Sequence, residues 1–300
     1  MQKLLNPRND VAFKRLFGSE KNKDILITLL NEVLKNQLHN PIEEVEYLTP
    51  IQEPEILSKK QSIVDVLCKD RDGCQYIIEM QVANMAGFEE RAQYYASKAF
   101  VNQLNQGEEY KKLKEVIFIA FTDFSIFPEK KEYKSEHITL DKKTLECNLD
   151  KISFTFVDLV KFDDSRPRKI DDLSLEERFY YFLRHAEDIN PEDLQLLIKE
   201  NKVLERAFHE LNRVYWTENE LRQYESDEKA QRDNKAAMTY AIEKGKEEAR
   251  EEGREEVREE GREEGTILIA KKMLSDNESI EKIKKWTGLT SEQIERLNKN

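Results

Sequence analysis

Ser62-Ile63-Val64-Asp65-Val66-Leu67-Cys68, then Lys69-Asp70-Arg71-Asp72-Gly73-Cys74, then Gln75-Tyr76-Ile77-Ile78-Glu79-Met80-Gln81 is the stretch whose reading decides the fold. Two runs rich in β-branched and aromatic residues flank a charged Asp/Gly turn, the sequence form of a β-hairpin. Each run carries one acid where a buried strand calls for an apolar residue: Asp65 between Val64 and Val66, Glu79 between Ile78 and Met80. The turn decides whether these acids meet. A three-residue loop, Arg71-Asp72-Gly73, with Gly73 in the left-handed position of a G1 bulge, pairs Asp70 with Cys74. Counting outward then puts Asp65 opposite Glu79, with Gln81 two residues further on the same face. A two-residue Asp72-Gly73 turn would instead set Asp65 against Met80. Opposite residues have Cβ atoms about 5 Å apart. Two carboxylates that close repel unless a proton or a cation lies between them. Oxygen-only ligands select a hard divalent ion, Mg²⁺ or Mn²⁺. The plain alternative is two exposed acids on an edge hairpin.

Asp65, Glu79 and Gln81 read as D-x13-E-x-Q. With Asn9-Asp10-Val11-Ala12-Phe13-Lys14-Arg15-Leu16-Phe17-Gly18 before them and Arg91-Ala92-Gln93-Tyr94-Tyr95 after them, the chain resembles the PD-(D/E)XK nuclease superfamily. More narrowly, it resembles the bacterial recombination-promoting nuclease (transposase) family. The supporting residues lie in family-like order along roughly the first 160 residues. The resemblance implies a restriction-endonuclease-like α/β core (α-β-β-β-α-β) followed by an all-helical C-terminal region. It also implies that Asp65 and Glu79 hold Mg²⁺ or Mn²⁺, and that phosphodiester bonds of DNA are hydrolysed. The superfamily's lysine falls at Gln81, which can hydrogen-bond water but supplies no positive charge. Some superfamily members carry Gln here or bring a base from the following helix, and Arg91 and Lys98 are the candidates for it. Superfamily members often place an acid on the second N-terminal helix, which points to Glu32.

The chain of 300 residues has ample length for a buried core. Its 61 acids against 49 bases give a net charge of −12, which argues against DNA coating driven by charge alone. Cys68, Cys74 and Cys147 show no metal-ligand spacing, and their odd number argues against a disulfide framework. No run approaches the roughly 20 apolar residues of a membrane span, and the N-terminus shows no signal-peptide core. The expectation is a soluble cytoplasmic protein with no membrane partner.

Along the chain, residues 7–38 read as two helices with an i, i+3, i+4 apolar stripe through Ile25, Leu26, Leu29, Leu30 and Val33. Lys14 and Arg15 are candidates to meet phosphate. A strand over 42–48, the hairpin, a helix over 86–104, the apolar strand Val116–Phe121 and short strands over 138–140 and 154–159 complete a nuclease-like domain, 1–161. Residues 162–169 read as a linker. A helical domain over 171–242, a Glu/Arg/Gly-rich repeat over 243–265 and a small helix-turn-helix-like unit over 266–300 follow.

The repeat places Gly245, Ala249, Gly253, Val257, Gly261 and Gly265 at every fourth position, each followed by Lys or Arg, Glu and Glu up to Glu264. Its four glycines each cost about 1 kcal/mol of helix stability against alanine. The segment is therefore a marginal helix or spacer, or a close helix–helix contact through the small stripe. Homo-oligomerisation through the C-terminal helices follows from that second option. In the terminal unit, Glu292, Glu295, Arg296 and Lys299 are a poor base-reading set, which favours packing over DNA reading.

Two functions fit this sequence. The first is a metal-dependent DNA endonuclease of low sequence specificity, a Mg²⁺/Mn²⁺-dependent deoxyribonuclease associated with transposition or recombination. In it Asp65, Glu79, Gln81, Arg91 and Lys98 are the catalytic set. The second is a DNA-binding or scaffold protein that keeps the nuclease fold but has lost activity through Gln81.

Overall fold

The computed structural model describes residues 4–52, 62–166 and 169–297. Asn9 starts the first helix, α1 (Asp10–Phe17), by accepting from the Val11 and Ala12 N–H groups. The second helix is α2 (Lys23–Val33). Together they bury Phe13, Leu16, Phe17, Ile25, Leu26, Leu29 and Leu30. The strands β1 (Val45–Tyr47), β2 (Ile51–Gln52), β3 (Ser62–Ile63), β4 (Val66–Asp70) and β5 (Gln75–Gln81) follow. A helix, α3 (Phe88–Val101), then leads to β6 (Val116–Thr122), β7 (Lys134–Thr139) and β8 (Leu149–Asp158).

Six strands form one mixed sheet in the order β1-β4-β5-β6-β8-β7, while β2 and β3 pair by themselves. The pairs β5–β6 and β6–β8 are parallel and the rest are antiparallel. All seven residues of β6 are buried, as expected for a parallel strand covered on both faces. Its alternation splits the core in two. Ile117, Ile119 and Phe121 join the layer of α1 and α2. Val116, Phe118 and Ala120 join Phe88, Ala92, Ala96 and Ala99 of α3. This mixed α/β arrangement is consistent with the expected nuclease-like core.

The chain after β8 departs from the expected linker. Residues 162–165 are helix, the last turn of α4 (Leu159–Ser165), which opens with Asp158 accepting from the Lys161 N–H. The Phe162 ring lies 5.4 Å from both Tyr133 and Tyr180, and this packing draws the segment into the core. Next come α5 (Leu175–His185), opened by a Ser174/Glu177 capping box, α6 (Pro191–Ile198) and α7 (Lys202–Glu210). Phe179, Tyr180, Phe182, Leu183, Leu204 and Phe208 share one core with α1 and α2. The helices after residue 171 are thus not set apart from the sheet, and the first compact unit runs from Met1 to Gln231. The reason is area: α1 and α2 alone leave part of this apolar layer open to water, and α5 and α7 cover it.

The last long helix, α8 (Glu218–Ser275), has 58 residues. It is followed by α9 (Ile280–Thr287), ended by Gly288 at φ +73°, and α10 (Ser291–Leu297). The second compact unit, 232–300, has its own small core of Ala270, Ile283 and Ile294, with Met273, Leu274, Leu289 and Leu297 against it. Among the described residues, no helix is long and apolar enough to cross a membrane.

Candidate active site

The turn sets the register of the β4–β5 hairpin. Gly73, at φ +86°, donates its N–H to the Asp70 carbonyl at 3.1 Å, and Asp70 donates to the Cys74 carbonyl at 3.0 Å. The Asp70 carboxylate tightens the same loop by accepting from the Cys74 N–H at 2.9 Å and the Tyr76 hydroxyl at 2.8 Å. Val66 pairs with Ile78, Leu67 with Ile77, Cys68 with Tyr76 and Lys69 with Gln75. This is the register of the three-residue loop, and its continuation sets Asp65 against Glu79.

The strand β4 starts only at Val66, and side chains replace the ladder beyond that point. The Met80 N–H donates to Asp65 Oδ2 at 2.9 Å, and the Asp65 N–H donates to Glu79 Oε1 at 3.2 Å. The two acids therefore sit where the strands part, Glu79 accepting from the N–H of Asp65 and Asp65 from the N–H of Met80, the residue after Glu79. Glu79 is 3% exposed, so the alternative of two exposed acids on an edge hairpin does not hold.

From Glu79 a chain of contacts runs to α3. Gln81 Nε2 donates to Glu79 Oε2 at 2.9 Å, and Arg91 Nη2 donates to Gln81 Oε1 at 2.5 Å. The Arg91 guanidinium lies 5.0 Å from the Phe88 ring centroid. Its Nε is buried with no hydrogen-bond partner among the described residues. The buried face of α3 is mostly alanine, and those small side chains let the helix lie close to the sheet. Arg91 borders that face and so comes within reach of Gln81.

A second approach comes from α1. Lys14 Nζ lies 2.8 Å from Asp10 Oδ2 and 3.7 Å from Asp65 Oδ1. The Asp10 N–H in turn donates to Asp227 Oδ2 on α8 at 3.1 Å. Lys14 thus links Asp10 to Asp65, and the Asp10 charge bears on Asp65.

The electrostatics follow from burial and crowding. Desolvation raises Asp65 well above the ordinary carboxylate range; the Met80 N–H and Lys14 oppose this, and Asp10 adds to it. Desolvation likewise raises Glu79, the Asp65 charge raises it further, and Arg91 and Gln81 oppose the rise. Burial alone would lower Lys14, but the Asp10 hydrogen bond and the charges of Asp10, Asp65 and Glu79 raise it overall. Burial also raises the Tyr95 phenol, and the Glu79 charge adds to that rise.

Of the residues singled out from the sequence, Asp65, Glu79, Gln81 and Arg91 come together in one connected group. Lys98 lies seven residues beyond Arg91 on α3, its ammonium 6.0 Å from the Tyr94 ring centroid. The acid that the N-terminal helices bring to Asp65 is Asp10. Glu32 is on α2, where its neighbour Asn31 is engaged with both backbone groups of Ile42. Asp10 has a signal in the sequence: it follows the cap residue Asn9, and Lys14 stands four residues on, one helical turn away. Nothing local says that this turn faces the hairpin.

A divalent ion fits this chemistry. Two close carboxylates, one buried and one mostly shielded, are stabilised by a cation between them. Mg²⁺ is commonly held by one or two carboxylates, with water and substrate phosphate completing its shell. Asp65 and Glu79 are the residues that could hold it. Among the described residues, no set of three or more His, Cys, Asp or Glu side chains is grouped around one ion position.

The model of one protein family, described as "PD-(D/E)XK nuclease family transposase", matches residues 7–241. No curated protein and no solved structure matches the chain.

Proposed function

The chain belongs to the PD-(D/E)XK nuclease family of transposases, and from that premise we propose that it is a metal-dependent DNA endonuclease of low sequence specificity, acting in transposition or recombination. The observation that carries this reading is the Asp65–Glu79 pair, with Glu79 buried and both acids held at the point where β4 and β5 part. Nucleases of this superfamily generally use divalent metal ions. Asp65 and Glu79 would hold Mg²⁺ or Mn²⁺, which would supply Lewis-acid polarisation of the scissile phosphate and a more acidic water.

The protein's own residues divide the remaining work. Gln81 spends both ends of its amide on Glu79 and Arg91. It fixes the carboxylate's orientation and delivers no charge. The positive charge comes from two other elements. Arg91 enters from α3, where its planar guanidinium suits a phosphate oxygen pair. Lys14 enters from α1, beside Asp65. Lys98, further along α3, serves the DNA backbone away from the cleaved bond.

A second reading is favoured by one observation, the glutamine at the superfamily's lysine position. In it the protein binds DNA or partners through a nuclease fold without cutting. The experiment that separates the two is nicking of supercoiled plasmid with Mg²⁺ or Mn²⁺, by wild type, Asp65→Ala and Glu79→Ala. The nuclease reading expects nicking by the wild type, lost at least 100-fold in both variants while folding is kept. Absence of nicking by the wild type with either ion, together with DNA binding that needs no metal, establishes the second reading instead.

A further inference from the structure

We propose that the charged repeat of α8 is a pairing face for a second copy of this chain, and that its charge rows force the two copies to run parallel. The seam has Ala237, Ala241, Gly245, Ala249, Gly253, Val257, Gly261 and Gly265 at four-residue spacing. These residues are exposed apart from Gly253 and Gly265, which are half-buried. A Cβ added at Gly245, Gly253, Gly261 or Gly265 meets no atom within 4 Å. Within the described chain, then, no packing contact calls for these helix-weakening glycines.

The charges are what assign an occupant to this face. Position i+1 of each repeat is Lys246, Arg250, Arg254, Arg258 or Arg262. Position i−1 is Glu248, Glu252, Glu256, Glu260 or Glu264. A residue advances about 100° around the helix, so one flank of the seam is a continuous basic row and the other a continuous acidic row. Each row stacks like charges at i and i+4, which weakens an isolated helix. A copy of the same helix laid parallel against the seam turns its acidic flank to this basic flank, and its basic flank to this acidic one. Both rows are then neutralised along the whole contact. An antiparallel copy would set basic against basic and acidic against acidic. Flanking charges of this kind set orientation in paired helices. Small residues at every fourth position let two backbones approach closely at a right-handed crossing. The seam drifts about 40° per step, and the charge rows drift with it, so complementarity is kept as the helices wrap.

This inference does not depend on the nuclease reading, and the test uses the full-length chain. One variant carries Arg250→Glu, Arg254→Glu and Arg258→Glu; a second carries Glu252→Lys, Glu256→Lys and Glu260→Lys. Sedimentation equilibrium at low salt should show a dimer for the wild type, and at least tenfold weaker self-association for each variant. The 1:1 mixture should pair again, which also shows that both variants still fold. Orientation is read in a Cys147→Ser background by oxidising an equal mixture of Gly245→Cys and Gly261→Cys chains. Parallel pairing gives 245–245 and 261–261 disulfides. A monomeric wild type, a dimer indifferent to both row reversals, a mixture that fails to pair, or 245–261 disulfides would each overturn the proposal.

Discussion

Two places in this molecule crowd acidic side chains, and they are built on opposite principles. At the parting of β4 and β5, Asp10, Asp65 and Glu79 lie close together, with Glu79 almost wholly out of water. On α8, eleven glutamates between Glu243 and Glu264 stand in water beside six bases. Asp65 and Glu79 feel one another strongly because Glu79 is buried and Asp65 is mostly shielded, so little solvent screens them. The exposed ones are screened within about 10 Å at ordinary salt. Crowding thus has a different meaning in each place. In the sheet it creates demand for a proton or a cation at one point. On the helix it creates a weak, distributed preference that only a partner of matching pattern can satisfy along its length.

Three results would sharpen or break this contrast. The largest effect belongs to the buried side. Phe118 is fully buried, with the Phe154 and Phe156 rings each 6.1 Å away. Phe118→Ala should cost about 3–5 kcal/mol in urea unfolding, whereas Val257→Ala, on a residue 69% exposed in the single chain, should stay within about 0.5 kcal/mol when measured on the dilute monomer. Similar losses at both sites would mean that the repeat is packed far more tightly than its exposure indicates.

The second result concerns pH. Asp65 and Glu79 keep their protons to higher pH in the folded chain than in the unfolded one. Their contribution to stability is therefore fully present below the ordinary carboxylate range and is lost as pH rises from about 4 through neutrality. Metal-free Glu79→Gln should accordingly be more stable than wild type at about pH 8, by about 1–3 kcal/mol, and nearly equal to it at about pH 4. Mg²⁺ or Mn²⁺ should raise the wild-type melting temperature at pH 8 and leave the variant's unchanged. A wild type that gains stability from pH 4 to 8 relative to the variant would contradict the buried, like-charged pair.

The smallest effect compares two glycines. Gly73 sits at φ +86°, and a Cβ there would lie 3.2 Å from the Lys114 side chain. Gly73→Ala should destabilise the chain by about 1 kcal/mol or more. Gly253 is helical with open space around it. In the dilute monomer, Gly253→Ala should raise helix content and stabilise α8 by up to about 1 kcal/mol. Equal signs at the two positions would show that glycine's backbone freedom is not what separates turn from helix here.

Much of the candidate site was legible in the hairpin because its information is local. A glycine able to take positive φ marks the turn, the loop length sets the register, and the two-residue period of a strand carries that register out to Asp65 and Glu79. Legibility ended where contacts are long-range. Nothing local to Asn9-Asp10 says that α1 will bring Asp10 and Lys14 to Asp65. Arg91 was readable as a cation on the next helix, but its hold on Gln81 depends on how closely the alanine face of α3 approaches the sheet. Residues 162–169 read as a linker because they are polar, yet Phe162 among Tyr133 and Tyr180 turns their start into helix. The helices beyond 171 read as separate because no local pattern reports that α2 still has an apolar surface to cover.

Backbone preference, side-chain period and charge order are properties of neighbours along the chain, so the sequence alone specified the hairpin, an acid in each of its two runs, the main amphipathic helices and the charge order of the repeat over 243–265. Burial and electrostatic coupling depend on what surrounds a group in space. Only the tertiary structure could decide that Glu79 is withdrawn from water, that Asp10 and Lys14 come up to Asp65, and that one core joins the sheet to the helices after it.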